Sequence, residues 1–378
     1  MEEKIISTLE EIGKKLNEEY LKAGTKSKKK KLIYELFSFS VLCEEEFGLE
    51  NKHLWVIDDS LLLDRDYFLD IINRDKKIFF DISKTVIDKF IEIRYPFYAN
   101  YNKTLPRMSI SQMRDIVFAF LDDFDKDTSS KLKNKIKNNK VFITSLSESE
   151  GGYINPFEFL NDGIIVMNSG EGYDLEFAKN LVHECGHLFE LEHLYSQNRK
   201  MYRISTMSTP YYEVSSSFFE YAFLRYIKDN RLLNHSIDIV LNNYFMELFI
   251  NSFGVNIACM KKKLDTSDGT IYIDEENIKK HANSIMNKSN YYGPLYYKDG
   301  IDSRFPFIYF IGQLMSLYMY ENYKENKEKF KKEFKKSFLL YPSDPSLEVF
   351  SEIGVDQQEL KEGKILKKVL KEYNSSLN

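Results

Sequence analysis

The chain has 378 residues, with 53 Lys and Arg against 58 Asp and Glu, a formal net charge of -5 and 43% hydrophobic residues. That apolar fraction, beside an ordinary 29% of charged residues, excludes wholesale disorder. A pI near 5.9 argues against a general nucleic-acid binder, which carries a basic face. Three cysteines, Cys43, Cys185 and Cys259, stand at wide spacings and give neither a disulfide framework nor a thiolate metal cluster. The first residues, MEEKII, lack the basic and apolar regions of a signal peptide, and no stretch approaches the ~18 uncharged apolar residues that span a bilayer. The expectation is a cytoplasmic protein with no nucleic-acid or membrane partner; its oligomeric state is not legible.

Most of the chain reads as helix. Apolar residues at Ile5, Ile6, Leu9, Ile12, Leu16 and Tyr20 follow helical spacing over 3–22. The break Ala23-Gly24-Thr25 precedes the lysine run 26–31, read as a solvated helix start. Further helices are expected over 32–48, 77–102 and 109–124, the last capped at Ser109 or Ser111. The texture then changes to β-branched runs at Val141-Phe-Ile-Thr-Ser, Gly151-Gly-Tyr-Ile and Gly163-Ile-Ile-Val-Met, which predict a small antiparallel sheet. From 174 onward the helical pattern returns, broken near 208–210, 268–269 and 290–300. Two regions follow: a helical N-terminal lobe over 1–140 and a second lobe over 141–378, which holds the chemistry-bearing residues.

The residues that carry chemistry are His183-Glu184-Cys185-Gly186-His187, an H-E-x-x-H. On a helix, residues four apart differ by about 40° around the axis, so both imidazoles face one way, a turn apart. That places two nitrogen ligands within reach of one zinc ion. Glu184 lies beside them, placed to take a proton from a zinc-bound water and pass it to a leaving amine. With 6 histidines in the chain, chance yields ~0.014 such motifs for this composition, so the motif is informative although short. Asp174 is a suitable N-cap for the helix, and Leu181, Val182, Leu188 and Leu191 supply its apolar face.

A zinc enzyme needs a third protein ligand. His193 lies six residues beyond His187, but Glu190 stands where a glycine would let the chain leave the helix. Glu213 is the better candidate, 26 residues past His187 and just after the Thr209-Pro210 break that starts a new helix. Glu220, seven residues further on the same face, could fix the tautomer of a ligating histidine. Cys185 points away from the histidines and reads as apolar filling.

These residues resemble the thimet oligopeptidase and oligoendopeptidase F family of zinc peptidases, in which H-E-x-G-H is followed by E-x-x-S-x-x-x-E. Here the second element is Glu213 with Ser216 and Glu220. Gly151-Gly152-Tyr153, Gly163-Ile-Ile-Val-Met-Asn168, Tyr309-Phe-Ile-Gly312 and Ser343-Asp-Pro-Ser-Leu-Glu-Val-Phe are similar to further family elements, so the likeness runs from about 145 to 360. It implies a mainly α, two-lobed helical clamshell binding one zinc ion and cleaving oligopeptides or unstructured peptide segments. It further implies that a substrate peptide adds to an edge strand near 163–168 and meets Gly152, Tyr153, Ile165 and Tyr296. Tyr309 and Tyr297 are the implied donors to the developing oxyanion.

One departure stands out. The family places a histidine about fifteen residues before the Tyr-x-x-Gly glycine; counting back from Gly312 gives Tyr297 and Lys298 instead, and the nearest upstream histidine is His281. The leading expectation is therefore a zinc endopeptidase. The alternatives are a slow or non-catalytic peptide-binding relative that keeps zinc, and a maturation protease dedicated to one substrate.

Overall fold

The computed structural model describes residues 2–25, parts of 27–39, and 65–97, 105–144, 151–157, 162–169, 172–197, 210–260, 275–289, 304–339 and 347–376. The expected helix over 32–48 lies mostly outside them. In chain order the described elements are α1 (Glu2–Lys22), α2 (Arg65–Arg74), α3 (Lys76–Glu92), α4 (Ile110–Phe124), α5 (Lys126–Lys137), β1 (Val141–Thr144), β2 (Gly151–Phe157) and β3 (Asp162–Asn168). There follow α6 (Leu175–Ser196), α7 (Val214–Asp229), α8 (Asn234–Cys259), α9 (Glu275–Ser289), α10 (Arg304–Glu325), α11 (Lys327–Ser337), a 3-10 helix (Leu347–Ile353), α12 (Gln357–Glu362) and α13 (Lys364–Ser376). The mainly helical class is borne out. No described helix is long and apolar enough to cross a membrane.

Contacts group the chain into two units: Met1–Leu62 with Lys135–Gly172, and Leu63–Asn134 with Tyr173–Asn378. This grouping is discontinuous in sequence, whereas the pattern along the chain suggested one border near 140.

In the first unit, the end of α1 and the residues after it pack on the sheet: Tyr20, Ala23, Leu32 and Leu36 bury Ile164. The strands lie in the order β1-β3-β2. β2 and β3 pair antiparallel, but β1 and β3 pair parallel, so the sheet is mixed and not antiparallel throughout. The cause is topological: the chain reverses after each strand, so first and third run the same way, and the third inserts beside the first. The strand over 163–168 is central, with its backbone groups engaged by both neighbours, so it cannot accept a peptide as an edge. Its interior residues are buried on both faces, which is why it reads as a continuous apolar run. Lys135, itself buried, closes one end by donating to the Gly163 carbonyl (2.6 Å) and to Asp162 (2.9 Å).

The second unit is helical. Ser109 caps α4 with a reciprocal capping box to Gln112, and Asp174 caps α6 by accepting from the Phe177 amide (3.0 Å), both as the sequence predicts. α3 stops at Glu92, short of the expected 102: Arg94 takes a left-handed φ of 51° and Pro96 cannot continue a helix. Helix α7 packs against both α6 and α10. Beneath it lies much of the phenylalanine content: Phe124 meets Phe219 at 4.6 Å, and Phe218 meets Phe330 at 4.9 Å. Rings of this size dominate a helical core by buried area and edge-to-face contact.

Candidate metal centre

The H-E-x-x-H residues lie within α6, which runs unbroken to Ser196 because Glu190 continues it. Gly186 faces the start of α7. A β-carbon there would stand 2.6 Å from Ser216 Cα and 2.7 Å from the Ser215 carbonyl, so glycine is what permits the two backbones to meet. Gly312 does the same from the other side, where a β-carbon would stand 2.5 Å from both the Glu213 carbonyl oxygen and Ser217 Oγ. The first turn of α7 is thus held between α6 and α10. Ser215 adds a side-chain link by donating to Glu190 on α6 (2.7 Å).

Glu213 immediately precedes that turn. Its Oε2 lies 3.1 Å from His183 Nε2 and 3.2 Å from His187 Nε2. Ser216 Oγ donates to the same Oε2 at 2.5 Å. One ligand atom from each of His183, His187 and Glu213 falls within 4.8 Å of the others, a spacing at which they could hold one metal ion. Glu220, about two turns past Glu213 on α7, lies 3.1 Å from His183 Nδ1. An Nδ1–H donated there leaves the Nε2 lone pair directed at the group.

Electrostatics test whether these residues fit a cation. Burial opposes charge on His183, yet the Glu213 and Glu220 carboxylates outweigh it and hold its pKa well above the ordinary histidine value. Burial likewise opposes ionisation of Glu213, but His187 and His183 keep its pKa well below the ordinary carboxylate value. An Nε2 lone pair 3.1 Å from a carboxylate oxygen is repulsive unless a proton or a metal ion lies between them. Two imidazole nitrogens and one carboxylate oxygen match the donor set of a zinc site with an open position. The fit is therefore good in chemistry and in spacing.

Glu184 is buried in the same helix. Tyr309, on α10, belongs to this neighbourhood: burial raises its phenol pKa, and the Glu213, Glu220 and Glu184 carboxylates raise it further. It is a protonated donor at neutral pH. Tyr296 and Tyr297 lie outside the described residues. In the first unit, Gly152 pairs with Met167, Tyr153 is 45% exposed beside Val166, and Ile165 is fully buried in the central strand. His193 approaches Phe338 on the far side of α6 (6.2 Å), away from the three candidate ligands. His281 is engaged elsewhere, with Nε2 2.8 Å from Asn256 Oδ1. Cys185 is buried, as expected of apolar filling.

Two features escaped the sequence reading. The ring of Tyr212 stacks on His187, with centroids 4.9 Å apart and planes 21° from parallel. Lys179, one turn before His183, is buried and ion-paired with Glu176. Burial opposes its charge, but Glu176, Glu220 and Glu247 together hold its pKa above the ordinary lysine value. Its position four residues before His183 placed it on the histidine face, a signal legible in advance.

No family model matches the chain, and no curated protein matches it in sequence. Solved structures do match in three dimensions. A protein assigned as an oligoendopeptidase F from Bacillus anthracis aligns over 93% of this chain and 67% of its own, with TM-score 0.58 and 12% identity. A second structure assigned as an oligoendopeptidase F covers 96% of this chain and 70% of its own at TM-score 0.58 and 10% identity. PZ peptidase A bound to an inhibitor gives 96%, 70%, 0.57 and 12% for the same quantities. The chain shares the fold of these proteins, and the resemblance read from its motifs is borne out at that level.

Proposed function

We propose that the chain is a zinc-dependent endopeptidase acting on oligopeptides or unstructured peptide segments. The observation that carries this reading is the convergence of His183 Nε2 and His187 Nε2 on one Glu213 oxygen, with His183 held from behind by Glu220. The shared fold with proteins assigned as oligoendopeptidases supports it.

In this reading His183, His187 and Glu213 hold the ion. Zinc, when bound there, would polarise a scissile carbonyl and acidify a water. Glu184 takes the proton from that water and delivers it to the leaving amine. Tyr309 donates its phenolic proton in a hydrogen bond to the developing oxyanion. Glu220 keeps the His183 ring in one tautomer throughout. The peptide is the sole partner required. Two buried free thiols, Cys185 and Cys259, suit a reducing compartment such as the cytoplasm.

A second reading, a zinc-bearing peptide binder with little turnover, is favoured by one observation: His281, the nearest histidine upstream of the Tyr-x-x-Gly element, is engaged with Asn256. A quenched peptide library separates the two. Cleavage that a chelator abolishes and zinc restores supports the peptidase, whereas binding without cleavage supports the alternative.

A further inference from the structure

Three consecutive residues at the start of α7 face three different environments. Tyr211 is buried against the edge of Phe350 on the 3-10 helix, with centroids 5.2 Å apart. Tyr212 lies flat on the His187 imidazole. Glu213 points at both histidines. The turn is closed by the Val214 amide donating to the Tyr211 carbonyl (3.1 Å) and the Ser217 amide donating to the Glu213 carbonyl (3.0 Å). Tyr211 therefore anchors the turn, and Tyr212 follows it onto the metal-site histidine as a consequence of backbone geometry.

We propose that Tyr212 is a positioning residue for this site, clamping the His187 ring so that its Nε2 stays aimed at the position shared with Glu213 and His183. The inference rests on the metal-site reading above. The imidazole χ2 torsion is broad, so an isolated histidine does not hold its ring plane, and packing must do so. His183 is oriented through its edge, by the Glu220 carboxylate. A flat stack on His187 fixes the ring plane and leaves the ring edge directed at Glu213 (3.2 Å). His183 is thus steadied at its edge by a carboxylate, and His187 on its face by a ring. Stacking needs an aromatic ring and no hydroxyl, which separates this role from that of a proton donor.

The test is zinc affinity, measured on the full chain by competition with a chromophoric chelator. Tyr212→Ala and Tyr212→Leu should each weaken zinc binding by about 10-fold, the low end of the usual loss for an outer-shell partner. Tyr212→Phe should restore affinity to within about threefold of wild type. Leucine keeps bulk without a flat ring, and the half-buried position lets the fold survive, checked by circular dichroism. Affinities of the Ala and Leu variants within twofold of wild type would overturn the proposal, as would a Phe variant as weak as Ala. If the wild-type chain itself takes up no zinc, the metal-site reading fails first and this proposal with it.

Discussion

Gly312 on α10 meets the backbone carbonyl of Glu213 so closely that a β-carbon would stand 2.5 Å from its oxygen. From the opposite side Gly186 meets Ser215 and Ser216 at a similar distance. The residue that completes the candidate metal centre is therefore placed by two glycines on two other helices, and its position is only as precise as their approach.

Substituting either glycine separates those helices. Gly186→Ala and Gly312→Ala should each destabilise the protein by about 1–3 kcal/mol, the usual range for overpacking, because backbone cannot retreat as a flexible side chain can. Zinc uptake should fall more than stability accounts for, since Glu213 is displaced. Chemical denaturation and metal analysis on the same samples check this; unchanged values for both would contradict the packing account.

Glu220 supports His183 without being a candidate ligand. Glu220→Gln keeps the size but weakens the charge-assisted hydrogen bond to Nδ1, so zinc affinity should fall about 10–100-fold with the fold intact. Glutamine could also present its amide nitrogen to Nδ1 and favour the wrong tautomer. Chelator competition measures the loss.

Tyr309→Phe removes the phenol and keeps the ring. A loss of about 10²–10³ in kcat, with zinc content unchanged, is the expectation for an oxyanion donor. A change below fivefold would move that role to another group.

The charged cluster behind His183 gives a pH signature. Enclosure by protein and the nearby Glu176 and Glu220 carboxylates push the Glu247 carboxyl up to about 7, although Lys179 opposes them. The residue also reaches solvent, which tempers that penalty. A carboxyl whose folded pKa is raised stabilises the fold fully below its unfolded pKa near 4.5 and loses that contribution as pH rises through about 7. Glu247→Gln should accordingly raise Tm more at pH 8 than at pH 5. An equal shift at both values would show that Glu247 does not titrate in this window.

The parts of this arrangement that were legible in the sequence are those fixed by local geometry. Helical spacing alone put His183 and His187 on one face, Glu220 seven residues from Glu213, and Asp174 at the N-cap of α6. Long-range relationships were not legible. The order of the strands depends on which neighbour inserts beside which, so the run at 163–168 could not be known as central from its own residues. The Tyr212 stack depends on how Tyr211 seats against Phe350, more than 130 positions away. Lys179 was within reach, because its spacing from His183 matches that between the two histidines, but a single lysine on an apolar helix reads as solvated until its carboxylate partners are seen.

The most direct test of the account is Glu184→Gln, assayed for metal and for peptide cleavage together. One zinc per chain is expected in both proteins, with cleavage of a peptide mixture by wild type and a loss of at least about 10² in the variant. Undiminished turnover in the variant, or wild-type cleavage that survives complete zinc removal, would contradict it.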